Sequence, residues 1–330
     1  MTVRERLIEQ ENVTLSPFAT RSGNSLGRQI PEPPCEFRTD FQRDRDRILH
    51  CKAFRRLKHK TQVYLAPLGD HYRTRLTHTL EVAQIGRTIA RAMQLNEDLT
   101  EAVALGHDLG HTPFGHAGEA ALNRLCPGGF RHYDHSVRIV SRLEKDGKGL
   151  NLTREVLDGI RCHTSGTEAF TPEGRIVRFA DKIAYINHDI EDAVQAGVLK
   201  EEDLPAEAAI LGKSKKARIT TLVSSVVENG PKIAFSPEIN DAFFALHDFM
   251  FAHVYREPRK REAEMKAQKI IEAMFHYYVE HPDALPEDFS SIAAEEGIER
   301  AVCDYIAGMT DNFAIMSYKN IFLPEFWSEM

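Results

Sequence analysis

Four residues have the types and setting of metal ligands: His78 in RTRLTHTLEVAQ, the adjacent pair His107-Asp108 in AVALGHDLGHTPFGHAGE, and Asp181 in RIVRFADKIAYINHDIEDA. Two imidazoles and two carboxylates can hold a divalent cation and leave positions open for water and a phosphate oxygen. That donor mix suits Mn²⁺, Fe²⁺, Mg²⁺ or Ni²⁺ better than a closed structural zinc. A lone histidine on a helix is usually a surface or hydrogen-bonded core residue, so His78 by itself says little. His107-Asp108 says more, because it lies inside the apolar stretch EAVALGHDLGH. Burying an ionisable pair there costs on the order of several kcal/mol unless something compensates it. Asp181, in IVRFADKIAYI, meets the same objection. One shared cation explains these sites better than three separate accidents.

The elements that must position these groups read as helices. Apolar residues recur near the helical period at Leu76, Leu80, Ala83, Ile89 and Met93. Similar patterns predict helices near 98–109, 132–144, 153–162, 173–196, 215–229, 237–255, 259–280 and 297–318. Breaks fall at Pro113, Pro127-Gly128-Gly129, Gly147, Gly149, Gly230-Pro231, Pro258 and Pro282. No alternating run of β-branched residues supports a sheet, so the expected fold is all-α. Neighbouring side chains on a helix point about 100° apart, but Gly110 and Thr112-Pro113 would end a helix and let His107 and Asp108 converge on one ion. Residues 1–35 are polar and punctuated and predict an irregular arm. A catalytic core over 36–200 and a C-terminal helical region over 201–330 complete the expected organisation.

Bulk properties narrow the function classes. A chain of 330 residues can bury a substantial core. The net charge of −7 argues against a protein that coats nucleic acid, so an anionic substrate must meet local clusters of Arg and Lys. Five scattered cysteines without a CxxC predict a reduced, cytoplasmic setting. No apolar run approaches the roughly 20 residues that span a bilayer, and the N-terminus lacks a signal-peptide core. There is no GxxxxGK[ST] loop, no HExxH and no GxSxG elbow. The runs Lys58-His59-Lys60, Lys213 with Lys215-Lys216, and Arg256 with Arg259-Lys260-Arg261 could contact single-stranded nucleic acid or a nucleotide. They read more simply as solvated faces, since few aromatics interleave them.

Further residues could serve phosphate chemistry. Arg75, one helical turn before His78, could grip a phosphate; its alternative is a solvated residue beside Arg73. His116 follows the break in HDLGHTPFGH and has Glu119 one turn on, the arrangement of a general acid with a charge partner. Its alternative is a helix N-terminal residue satisfying backbone groups. His111 is a further catalytic candidate. Lys182, Tyr185 and Asp189 share one side of the helix that carries Asp181, and Tyr185 could equally be an ordinary core aromatic.

The stretches FQRDRDRILHCKAFRRLKHKTQVY, HYRTRLTHTLEVAQIGRTIARAM, ALGHDLGHTPFGHAGE, VRFADKIAYINHDIEDA and YKNIFLPEFW resemble the HD-domain dNTPases, the bacterial deoxyguanosine triphosphate triphosphohydrolase-like proteins. The order of His, then His-Asp, then a distant Asp is the signature of HD-domain phosphohydrolases. The resemblance runs from about residue 40 to the C-terminus and implies an all-α HD-domain bundle with a C-terminal helical extension. It implies hydrolysis of a dNTP to deoxynucleoside and tripolyphosphate by a homo-oligomer, tetramer or hexamer, with a second dNTP as possible activator. It further implies catalysis by His116 and Glu119, and a substrate-facing role for His132, with His135 an exposed competitor. Lys182 and Tyr185 would hold the distal phosphates and Asp189 the 3′-hydroxyl. A Tyr185 ring under the deoxyribose would also crowd a 2′-hydroxyl. Gln62 is a candidate contact to base or sugar and Arg218 to the triphosphate. Two alternatives remain open: another HD phosphohydrolase (a 5′-nucleotidase or phosphodiesterase), or a nucleotide-sensing or nucleic-acid-binding protein without turnover.

Overall fold

The helices start where short polar side chains can satisfy free backbone N–H groups. Thr2 forms a capping box with Glu5, Asn96 accepts from the Leu99 amide, and Thr171 caps a helix that begins with Pro172. The computed structural model describes residues 1–62, 73–164 and 166–324. In chain order the helices are α1 (Val3–Thr14), α2 (Asp40–Leu49), α3 (Lys52–Arg56), α4 (Arg75–Ala92), α5 (Glu97–Gly106), α6 (His116–Leu125), α7 (His132–Arg138), α8 (Arg154–Cys162) and α9 (Pro172–Gln195). They continue as α10 (Lys215–Glu228), α11 (Pro237–Met250), α12 (Pro258–Glu280), α13 (Ser290–Glu296), α14 (Ile298–Ala307) and α15 (Asp311–Phe322). Among the described residues the only β pairings are isolated bridges, Arg28 with Thr153 and Thr61 with Thr74. The fold is all-α, as expected.

Apolar side chains gather into two cores. The first is built from α2, α4, α5, α8, α9, α10 and α11, with Ile89, Leu99, Val103, Ile176 and Ile183 fully buried. Helices α4, α5 and α9 pack against one another. His78 on α4, His107-Asp108 at the end of α5 and Asp181 on α9 are thereby directed to one place. The second core joins α6 to α12, α14 and α15 through Leu122, Ile271, Val302 and Ile306. Helix α6 opens with His116, so this second core sets that histidine beside the first.

Two buried polar ties hold the cores in register. The Lys60 ammonium donates to the carbonyls of His111 and Ala307, the latter at 2.9 Å. Burial lowers its pKa to about 7. The Asp311 carboxylate accepts from the amide and hydroxyl of Thr61, at 3.0 and 2.7 Å, and from the Phe114 amide at 3.0 Å. Lys60 is therefore an interior tie and not part of a solvated basic face. Among the described residues no helix is long and apolar enough to cross a membrane.

Several elements differ from the sequence expectation. The N-terminal arm is not wholly irregular: residues 3–14 are helical, and Glu11 accepts from the amide and hydroxyl of Ser22 at 2.7 and 2.6 Å. No residue of α1 is buried, so it lacks the apolar stripe that would have announced it. The pattern over 297–318 is two helices, α14 and α15, separated at Gly308–Thr310. Helices α2 and α6 were not among the expected elements, although their buried residues, Phe41 and Ile48 on α2 and Ala117, Ala121 and Leu122 on α6, do follow the helical period. Part of the KTQVY and YKNIFLPEFW motifs lies outside the described residues.

Gly110 marks a tight approach between backbones. A Cβ at this position would lie 2.2 Å from both the His132 carbonyl oxygen and the Ser136 amide nitrogen. Both are backbone atoms and cannot turn away. Gly110→Ala should therefore destabilise the protein by about 3 kcal/mol or more, the upper end of ordinary overpacking, read as a lowered urea midpoint. An unchanged midpoint would show that the loop relaxes freely.

Candidate active site

Helix α5 stops at Gly106 and His107 caps it, so His107 and Asp108 emerge together at a helix end. His107 Nδ1 donates to the Ala104 carbonyl at 2.6 Å, which leaves Nε2 as a lone pair. That nitrogen is buried and has no hydrogen-bond partner. It lies 3.4 Å from Asp108 Oδ1 and 3.9 Å from Asp181 Oδ1. His78 Nε2 lies 3.0 Å from Asp181 Oδ1 and 3.9 Å from Asp108 Oδ2. Adjacent donors on an octahedral ion, each about 2.1 Å from it, stand roughly 3 Å apart. The spacing, the donor types and the orphaned nitrogen all fit a divalent cation held by His78, His107, Asp108 and Asp181. Burial opposes ionisation of Asp181, and only positive charge on the facing His78 and His107 rings, or a cation between them, brings its pKa down to about 2. Asp108 is likewise held well below its ordinary range against burial, by His107, His111 and Arg75.

The sequence reading missed a layer behind His78. His188 Nε2 lies 2.8 Å from the Glu81 carboxylate, and its Nδ1 faces His78 Nδ1 at a long 3.4 Å. The carboxylate can only accept, so a neutral His188 spends its one proton on Glu81. Its Nδ1 then accepts from His78 Nδ1–H, which frees His78 Nε2 for a cation. Burial keeps His188 neutral, its pKa lowered to about 4 despite Glu81. A second missed residue, His163, is buried with its ring 4.9 Å from that of His107. A single histidine in a helical pattern gives no signal for either role.

Arg75 opens α4, is 2% exposed and donates from Nη1 to Asp108 Oδ2 at 2.9 Å. The alternative of a solvated residue is thereby removed. Gly115, at φ 56°, leaves room for it: a Cβ there would stand 3.0 Å from Arg75 Nη2. Gln62 also meets this turn, its carbonyl 3.8 Å from that same position. Arg73 pairs instead with Glu81, Glu191 and Asp192.

His116 begins α6 and its side chain is 79% exposed, with Nδ1 3.4 Å from Glu119 Oε2. Glu119 also accepts from His132, at 3.0 Å from both its amide and its Nδ1. These bonds hold the Glu119 carboxyl well below its usual range although burial opposes it. His111 lies 3.1 Å from Asp108 Oδ1 and stacks on His132 at 4.0 Å, and burial presses its pKa far down. It therefore supports Asp108, while His116 is the ring open to a ligand. The two rings are 5.5 Å apart. His135 is not an exposed competitor to His132: it is buried toward α14, 3.4 Å from Arg300 and 3.6 Å from Asp304.

On α9, Lys182, Tyr185 and Asp189 share a face, at steps of three and four residues from one another. Lys182 is partly buried over the rings of Phe179 and Phe244, at 5.6 and 5.9 Å, and burial lowers its pKa. Tyr185 is half-buried, and burial pushes its hydroxyl pKa up. Asp189 accepts from the Tyr255 hydroxyl at Oδ2, has no partner at Oδ1, and burial raises it to about 7. Arg218, on α10, is buried, and neither of its Nη atoms has a hydrogen-bond partner. Its Nε donates at 3.0 Å to Asn187, which at 100° per residue lies on the opposite side of α9 from Lys182 and Asp189.

The HD domain profile matches residues 75–186, which hold all four ligands, and the phosphohydrolase-associated domain profile matches residues 233–320. These matches define the class, an HD-domain protein. A deoxyguanosinetriphosphate triphosphohydrolase-like protein of Caldanaerobacter subterraneus subsp. tengcongensis is 57% identical over 100% of this chain and 98% of its own. Proteins of that name from Clostridium perfringens (strain SM101) and Desulfatibacillum aliphaticivorans are each 50% identical, over 99% and 98% of this chain and 99% of theirs. The chain belongs to the family of deoxyguanosinetriphosphate triphosphohydrolase-like proteins. A solved structure of a hypothetical protein from Aquifex aeolicus aligns over 84% of this chain and 71% of that one, at 19% identity and a TM-score of 0.47.

Two outcomes follow from this geometry. His188→Leu should weaken Mn²⁺ binding roughly 10–100-fold by releasing the His78 tautomer, and an unchanged calorimetric affinity would remove the relay. Asp189 is raised from 3.8 to about 7, so the folded state holds its proton where the unfolded chain has released it. Its contribution to stability is undiminished below about pH 4, falls as pH rises toward 7 and then levels off. Asp189→Asn should flatten that fall in urea midpoints measured from pH 4 to 7.5.

Proposed function

We propose that the protein hydrolyses deoxynucleoside triphosphates, dGTP or a broader set, between the 5′ oxygen and the α-phosphorus. The products are the deoxynucleoside and tripolyphosphate. The observation that carries this reading is the exposed His116 ring, seated on ionised Glu119 and one ring away from the His111 that supports Asp108. An acid group thus stands beside the place where a phosphate would meet the cation.

A divalent cation held by His78, His107, Asp108 and Asp181, whether Mn, Mg, Fe or Ni, would polarise the α-phosphate and acidify a water. Arg75 adds its own charge at the same spot, with its Nε still unpartnered. Glu119 engages His116 through Nδ1, so Nε2–H is the atom that faces the substrate. Water attacks the α-phosphorus, the bond to the 5′ oxygen breaks, and His116 delivers its proton to that oxygen. His132 shares Glu119 and fixes the carboxylate in place. Lys182 and Tyr185 would take the distal phosphates, and the free Oδ1 of Asp189 would accept from the 3′-hydroxyl. A homo-oligomeric, cytoplasmic enzyme activated by a second dNTP belongs to the same reading.

The test incubates pure protein with Mn²⁺ or Mg²⁺ and the four dNTPs, singly and mixed, and resolves products by anion exchange and ³¹P NMR. Tripolyphosphate with deoxynucleoside is the expected outcome, and turnover only in mixtures would mark an activating nucleotide. Orthophosphate or pyrophosphate would overturn the assigned bond. His116→Ala should retain the metal while turnover falls roughly 10²–10⁴-fold.

A further inference from the structure

Two cysteines that the chemistry above does not use meet inside the second core. Cys126 closes α6 and Cys303 lies in α14, and both are buried, at 4% and 0% exposure. The Cys303 thiol donates a hydrogen bond to the Cys126 sulfur. Arg300 stands one turn before Cys303 on the same helix and donates from Nη1 to that same sulfur at 3.4 Å. A thiol proton and a guanidinium thus converge on Cys126 Sγ, the surroundings of a thiolate.

The two sulfurs are driven apart in character. The Cys303 hydrogen bond, helped by Arg300, holds the Cys126 pKa below that of an ordinary thiol although burial opposes it. The Cys126 sulfur and burial together push Cys303 up. One member is therefore set to attack and the other to keep its proton. Other buried cysteines lack this arrangement: burial pushes Cys51 up to about 12 and Cys162 up to about 11. Cys35 is partly exposed and is lowered to about 7 by the backbone amides of Phe37 and Arg38. It is a reactive thiol of a different kind.

The backbone at Cys126 can also give way. Sulfurs at hydrogen-bond distance must draw in to about 2.05 Å to form a disulfide. Cys126 is followed by Pro127, Gly128 and Gly129, with the two glycines at φ 78° and 82°. A helix end that runs into paired glycines yields more readily than a position in mid-helix.

We infer that Cys126 and Cys303 are a redox pair that closes a disulfide between α6 and α14 when the protein meets a peroxide. The Cys126 thiolate attacks one peroxide oxygen, the O–O bond breaks, and the hydroxide released takes up a proton to become water. The Cys303 sulfur then attacks the resulting sulfenic acid. The S–O bond breaks, and a second water leaves with the Cys303 proton. Two thiols give up two electrons, and the peroxide is reduced to two waters. A small-molecule thiol reverses the bond by exchange. The disulfide staples the helix that opens with His116 to α14.

The test uses the whole protein carrying Cys35→Ser, which removes the partly exposed thiol, and a low molar excess of hydrogen peroxide. Free thiols are blocked with N-ethylmaleimide, and the digest is mapped by mass spectrometry without reduction. The expected result is a linked pair of peptides holding Cys126 and Cys303, with two free thiols lost per chain and regained with dithiothreitol. Cys303→Ser should leave Cys126 as a sulfenic acid that dimedone traps, whereas Cys126→Ser should leave Cys303 unmodified. Both thiols still free at a dose that fully oxidises Cys35 in the unsubstituted protein would overturn the pair, however the variants fold. A link from either cysteine to Cys51 or Cys162 would overturn it as well. Dimedone on Cys303 and not on Cys126 would overturn the assigned roles.

Discussion

Asp108 is a carboxylate kept almost entirely from water, and much of the active site is arranged around that fact. A bare charge at such depth would destabilise the fold severely. Arg75 from α4 takes one of its oxygens, and His111 from the loop beyond α5 lies against the other. The orphaned Nε2 of His107 adds the need for a cation at the same point. His107 and His111 flank Asp108 in the chain but Arg75 comes from another helix, so the charge can be buried only when α4 packs correctly against the end of α5. The His–Asp cluster and the first core thus specify one another.

The second core answers a different demand. A general acid must be open to its substrate, yet held within a fraction of an ångström. His116, the proposed acid, meets that demand by standing at the exposed start of a helix whose other face is locked against α12 and α14. Glu119, one turn on, is buried and shared with His132, so its position is fixed from two sides. The result is a mobile proton on an immobile frame. The catalytic segment therefore depends on helices that carry none of the metal ligands.

Much of this was legible in the sequence for a physical reason. Ionisable residues inside apolar stretches need an explanation, and His107-Asp108 and Asp181 had only one that served them all. Arg75 was readable from its one-turn spacing to His78, and His116 from the helix break before it and Glu119 one turn after it. His163 and His188 were not, because each is a lone histidine whose role depends on a neighbour from another helix. The choice between His132 and His135 failed for the same reason: Arg300 and Asp304, which claim His135, are far along the chain. Arg218 came with the resemblance, and its hydrogen bond to Asn187 on α9 had no signal in the sequence. Helix α1 was missed because no residue in it is buried.

The ties that seat the catalytic loop also have a bearing on biosynthesis. Lys60 reaches a carbonyl 247 residues later, and Thr61 is held by a carboxylate 250 residues later. A nascent chain can fold its first helices and gather the metal-binding histidines long before those partners leave the ribosome. The Phe114 amide, just before His116, gains its Asp311 partner only once α15 has been made. Translation order thus puts the residues of the His78, His107, Asp108 and Asp181 cluster into the growing chain well before the partners that tie down Lys60, Thr61 and Phe114.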